Sequence, residues 1–198
     1  AKVMGAIESR GWGNDLDVLY TTDHGEFQGD FGLLFKGPYH VDSLMRLPLI
    51  WRPAPSANIA PARVSAPVGH VSLAATFAHI AGMAQPSYVE APRLPIHQAE
   101  AEQLGHERVL TEWDSVLFGK IVHLRTICRD NWVCTAALDG SMSKAGEGEL
   151  YDLTHDPLQH VNRWDDPSVR ALREDLLADM WDNLPSQQLP LRSMDAPV

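Results

Sequence analysis

Cysteine is nearly absent from these 198 residues: Cys128 and Cys134 are the only two, too few for a disulfide scaffold, and they leave the redox compartment open. Long apolar runs are missing as well, and none approaches the ~20 residues that a bilayer-spanning helix needs. Positive charge is scarce. Sixteen Lys and Arg face 26 Asp and Glu, and the formal charge of −10 argues against nucleic acid or an anionic membrane surface as the main partner. A small anionic substrate stays open, because charge at the site itself decides that. There is no internal repeat and no low-complexity tract. His70, His79, His97, His106, His123, His155 and His160 show no ligand spacing such as H-x-x-x-H and are read as ordinary. What remains is 44% apolar and 21% charged residues, the balance of a globular chain able to bury a core and a smaller satellite core.

The most informative stretch is Tyr20-Thr21-Thr22-Asp23-His24-Gly25-Glu26, followed by Gly29-Asp30, Gly32 and Lys36-Gly37. Asp23 and His24 stand side by side where an apolar, β-branched run ends, and Gly25 allows a sharp turn. A strand ending this way sends both side chains to the carboxyl edge of a sheet, where open α/β folds hold their ligands. A hard carboxylate oxygen and a neutral imidazole nitrogen together suit divalent ions from calcium to manganese and zinc. Lys36 adds a compact positive charge suited to an anionic ester or its leaving oxygen. An isolated Asp-His pair would be a turn residue beside a solvated histidine, and an isolated Lys36 a surface lysine. The strand, the glycines and the lysine together favour a metal site. His40, in Pro38-Tyr39-His40, is a candidate substrate contact weighed against a packing role. Glu26 is either an outer partner orienting His24 or a turn cap, and Arg46 a structural residue bonding loop carbonyls.

At these residues the chain resembles a family. TTDHGEFQGDFGLLFKGPYHVDSLMRLPLI looks like the sulfatase segment of pattern SDHGe-lGdhgLl-KG-yee-lrvPLI, within the alkaline phosphatase superfamily. Glu149-Leu150-Tyr151-Asp152-Leu153, Asp156-Pro157 and Asn162 resemble that family's ELYDL–DP–E–N signature, about 120 residues later and in the right order. The resemblance covers the C-terminal part of the family only. It implies Asp23 and His24 as metal ligands and Lys36 as the catalytic, ester-binding lysine. One divalent ion is implied, Ca2+ first, with Mn2+ or Zn2+ as alternatives. It also implies a formylglycine nucleophile from a Cys/Ser-x-Pro/Ala-x-Arg motif, which neither cysteine here occupies. With Ala1 opening inside a helix, the chain reads as the C-terminal piece of a longer enzyme, partnered by its missing N-terminal part and by a small anionic ester. A homo-oligomer is left open.

The expected fold is α/β. Residues 1–83 are read as part of a mostly parallel sheet flanked by helices, and 84–106 as a linker. Residues 107–198 are read as a small subdomain whose antiparallel sheet packs on a C-terminal helix. Lys2 to Arg10 reads as a helix stopped by Gly11, Asp17 to Thr22 and Leu47 to Trp51 as strands, and Val41 to Arg46 as a short helix. Val71 to Ala81 reads as a helix with Leu73, Phe77 and Ile80 buried, Ser72 near its cap and Gly82 at its end. Short β-like runs at 108–113, 121–128, 132–137 and 150–153 suggest the antiparallel sheet. Pro167 to Leu184 is the closing helix, with Val169, Leu172, Leu176, Met180 and Leu184 on one face and Asp165 or Asp166 near its start. Three functions fit: a sulfuric ester hydrolase, a phosphonate monoester or phosphodiester hydrolase of the same superfamily, and a non-catalytic binding or structural module.

Overall fold

The computed structural model describes residues 2–117, 119–140 and 144–184. The end of the 107–198 subdomain and part of the turn expected at 139–148 therefore lie outside the described residues. In order, the elements are α1 (Lys2–Ser9), β1 (Val18–Tyr20), α2 (Asp42–Met45), β2 (Ile50–Arg52), α3 (Ser72–Ile80), α4 (Gln98–Gln103), β3 (Val109–Leu117), β4 (Lys120–Arg129), β5 (Trp132–Ala137), β6 (Gly148–Asp152) and α5 (Arg170–Asn183).

The second half is a four-stranded antiparallel meander in the order β3-β4-β5-β6, as the short runs and turn residues suggest. Neighbouring strands that follow one another in sequence need only tight connections. Asp130 and Asn131, both with positive φ, make the turn between β4 and β5. The sheet is covered on both faces, which explains why β4 and β5 read as nearly continuous buried runs rather than as an alternation. On one face Ile127, Cys134, Ala136 and Leu150 meet Leu176 and Met180 of α5. Asp166 accepts the Ser168 amide at 2.8 Å and so starts the 3₁₀ turn that leads into α5. Arg129 pairs with Asp175 and Asp179 and ties the helix to the end of β4. On the opposite face Tyr151 joins Phe27, Val41 and Leu44 in a second cluster. The segment 27–44 is thereby packed on the meander.

The first half departs from the expectation in four ways. A mostly parallel sheet is not formed by the described residues: β1 and β2, the two strands assigned to it, pair antiparallel with Leu19 opposite Trp51. In α3 the buried residues are Ser72, Ala75, Thr76 and Ala78, while Phe77 and Ile80 are exposed. Its small face packs closely because Thr76 hydrogen-bonds twice, donating to the Ser72 carbonyl at 2.7 Å and accepting the Leu94 amide at 2.8 Å. Ser72 is the first helical residue rather than the cap, which is Val71 without a capping side chain; Gly82, at φ 66°, does end the helix. Arg46 pairs with the Asp42 carboxylate at 3.4 Å instead of bonding loop carbonyls. No helix among the described residues is long and apolar enough to cross a membrane.

Candidate metal and ester site

β1 delivers Thr21 to His24 to the edge of the two-stranded sheet, and hydrogen bonds fix the orientation of each side chain there. Asp23 Oδ1 accepts the His24 amide at 3.0 Å and the Thr22 hydroxyl at 3.2 Å. These bonds, the backbone amide of His24 first, hold the Asp23 carboxyl below its usual range, so it is anionic at neutral pH. Its other oxygen, Oδ2, is left to face His24 Nε2 at 3.5 Å.

His24 Nδ1 lies 2.8 Å from the Gly25 carbonyl. A carbonyl can only accept, so Nδ1 carries the proton and Nε2 presents a lone pair. The backbone therefore orients this imidazole, the outer role considered for Glu26, whose Oε1 is 4.0 Å from Nδ1. Lys36 Nζ donates to Nε2 at 2.8 Å. Twelve residues separate Lys36 from His24 in sequence, and the loop between them returns on itself. The Phe27 amide bonds the Phe35 carbonyl at 2.8 Å, and Gly29 takes a φ of 114° at the tip. Gln28, Phe31 and Phe35 also adopt positive φ, a costly conformation for such side chains and one concentrated in this loop.

Gly25 is required by space. A Cβ there would sit 1.9 Å from the Ser43 carbonyl oxygen, and the Gly25 amide donates to the Leu44 carbonyl at 2.8 Å. The turn after His24 thus rests directly on α2. Asp23, His24 and Lys36 are brought together in one cluster. His40 is not displayed beside them for a ligand: it is 4% exposed, with Nδ1 2.8 Å from Thr126 Oγ1 on β4. Burial, and next the Arg125 charge, push its pKa down to about 4, so it is neutral. A cleft of about 1440 Å³ lies between the 59–68 strap and β3–β4 and is lined by none of Asp23, His24 and Lys36.

Three residues next to this region were not visible as site neighbours in the sequence. His70 Nε2 lies 3.1 Å from Thr21 Oγ1, two positions before Asp23. Thr126 holds His40, and Gln159 Oε1 accepts the Asp42 amide at 2.6 Å. Their separations of 49, 86 and 117 residues leave no local pattern to read.

No family model matches the chain. Among curated proteins, an uncharacterized sulfatase, YidJ of Escherichia coli K12, is 30% identical over 171 residues, covering 84% of this chain. The chain is a sulfatase homologue. It spans 32% of the length of that sulfatase. Solved structures agree on the fold of this sulfatase homologue. A protein in complex with its substrate D-glucosamine-2-N,6-O-disulfate superimposes with a TM-score of 0.73 at 20% identity, covering 91% of this chain and 36% of its own. A 2-O GAG sulfatase gives 0.68 at 23% identity, covering 96% and 42%. The phosphonate monoester hydrolase of Agrobacterium radiobacter gives 0.72 at 18% identity, covering 91% and 37%.

Proposed function

We propose that this chain is the C-terminal portion of a metal-dependent sulfuric ester hydrolase, in which Asp23 and His24 are metal ligands and Lys36 binds the ester. The observation that carries this reading is the convergence of Asp23 Oδ2 and Lys36 Nζ on the lone pair of His24 Nε2, at 3.5 and 2.8 Å. The donor set suits a divalent cation: the anionic Asp23 Oδ2, which the hydrogen bonds of the turn leave free, and His24 Nε2, whose lone pair Lys36 holds here and would yield to the ion. Ca2+ is the first candidate, with Mn2+ and Zn2+ as alternatives. When bound, such an ion supplies Lewis-acid polarisation of an ester oxygen.

The rest of the chemistry assigned to this chain is electrostatic. Asp23 stays charged because backbone amides hold it so, and the Gly25 carbonyl, accepting a hydrogen bond from His24 Nδ1, turns Nε2 toward the site. Lys36 places a fixed positive charge beside the reacting group and offsets negative charge on the ester oxygens as the leaving group departs. The remaining ligands and a formylglycine nucleophile are assigned to a preceding part of the same enzyme, and a small anionic ester is its substrate. The fold shared with a phosphonate monoester hydrolase favours one competing reading, hydrolysis of phosphonate esters.

The test is Lys36→Ala in the full-length enzyme, assayed on an aryl sulfate and an aryl phosphonate. The expected result is a fall in kcat/KM of roughly two to three orders of magnitude, the range for losing one preorganised charge partner. Metal content should stay near wild type, because lysine is not a ligand. The better substrate of the pair decides between the two esters. No turnover of either by the wild-type enzyme would favour a non-catalytic module, and undiminished turnover in the variant would remove Lys36 from the site.

A further inference from the structure

The segment between Lys36 and α2 is short and stiff, and it is gripped from outside. Lys36 is followed by Gly37, Pro38, Tyr39 and His40, and Pro38 fixes one φ of the connection. His40 is bound to Thr126 Oγ1 at 2.8 Å, and Thr126 Oγ1 in turn lies 2.8 Å from Thr135 Oγ1 on β5. Two positions on, Asp42 begins α2. The cap residue Val41 offers that helix no side-chain oxygen, so its first amides depend on an outside acceptor. Gln159 supplies it: Oε1 accepts the Asp42 amide at 2.6 Å. Gln159 is 2% exposed and sits at a φ of 56°, an unfavourable conformation that a surface glutamine would have no reason to keep. From α2 the path returns to the site, since the Leu44 carbonyl receives the Gly25 amide directly after His24. His24 and Lys36 therefore stand at two ends of one segment whose middle is fastened to β4 and to the loop after β6.

We propose that His40 and Gln159 are positioning residues, which clamp residues 37–44 onto the antiparallel sheet and so hold Lys36 Nζ against His24 Nε2. This rests on the reading that Asp23, His24 and Lys36 form the reactive site. The clamp divides labour within the chain: the meander contributes no group to the chemistry and fixes the distance between two groups that do. A displacement of about 1 Å at such a site is worth about two orders of magnitude in rate.

The test uses the full-length enzyme with Gln159→Leu and Thr126→Val, which remove the two side-chain hydrogen-bonding partners. Gln159→Glu and Thr126→Ser keep a hydrogen-bonding oxygen within the same reach. Each is made alone and combined with Lys36→Ala. Under the proposal, Gln159→Leu and Thr126→Val lower kcat about 10- to 100-fold with KM within about twofold and normal far-ultraviolet circular dichroism. The two conservative variants recover activity to within about threefold. In the Lys36→Ala background, Gln159→Leu and Thr126→Val cost nothing further, because the group they position is gone. A full additional loss in that background, or wild-type kcat in both single variants while Lys36→Ala is crippled, overturns the clamp and leaves the site standing. Wild-type activity in Lys36→Ala overturns the site and the clamp together.

Discussion

At the scale of single residues, the site depends on groups with no spare room and no spare partners. Gly25→Ala would drive a methyl into the Ser43 carbonyl, 1.9 Å from the new carbon, and the neighbour is backbone that cannot step aside. The expected outcome is a loss of about 1–3 kcal/mol in unfolding free energy, the range for overpacking, seen as a lower urea midpoint with an unchanged slope. A midpoint equal to wild type would mean that this turn is not held against α2. His40 gives a pH signature. Its folded-state pKa of about 4 lies below the unfolded value of 6.5, so the unfolded chain takes up a proton first as pH falls. Stability tied to neutral His40 is intact above pH 6.5 and declines between there and about 4, by a total on the order of 3 kcal/mol. His40→Asn should flatten that part of the melting-temperature profile relative to wild type; parallel profiles would show that His40 titrates normally.

At the scale of elements, α5 is the most firmly seated. Leu176 and Met180 are fully buried against Ile127, Cys134, Ala136 and Leu150. Leu176→Ala should cost about 2–5 kcal/mol, measured by chemical denaturation, because the meander below is too rigid to fill the space. A cost below 1 kcal/mol would mean that the helix is not packed as described. This element was legible in the sequence, since its apolar positions recur at helical spacing over many turns and Asp166 marks its start. The meander was legible for a related reason: its turns are local. α3 shows where such reasoning fails. Periodicity weights the largest apolar side chains and so selects Phe77 and Ile80, yet the face that packs is Ser72, Ala75, Thr76 and Ala78, chosen by closeness and by the two bonds of Thr76. The strand pair failed for a different reason, because apolar content reports burial and carries no information on whether a neighbour runs parallel or antiparallel.

At the scale of the molecule, Asp23, His24 and Lys36 could be read from one stretch because a single loop closes within 12 residues. What holds that loop could not, since Thr126 and Gln159 enter from 86 and 117 residues away. That distance is also an interval of time. A ribosome adding roughly 5–20 residues per second takes about 6–23 s to go from Asp42 to Gln159. Through that interval the strand, the Asp-His turn and the lysine loop exist, while the surface that sets their spacing has not been made. The corner holding Asp23, His24 and Lys36 therefore takes its clamped geometry only after Gln159 has been made. Stalled nascent chains provide the check: the 28–36 loop should be cut readily by protease in chains released from the tunnel only as far as residue 130, and resist once α5, through residue 184, is out. Equal resistance at both lengths would show that the corner orders without its anchor.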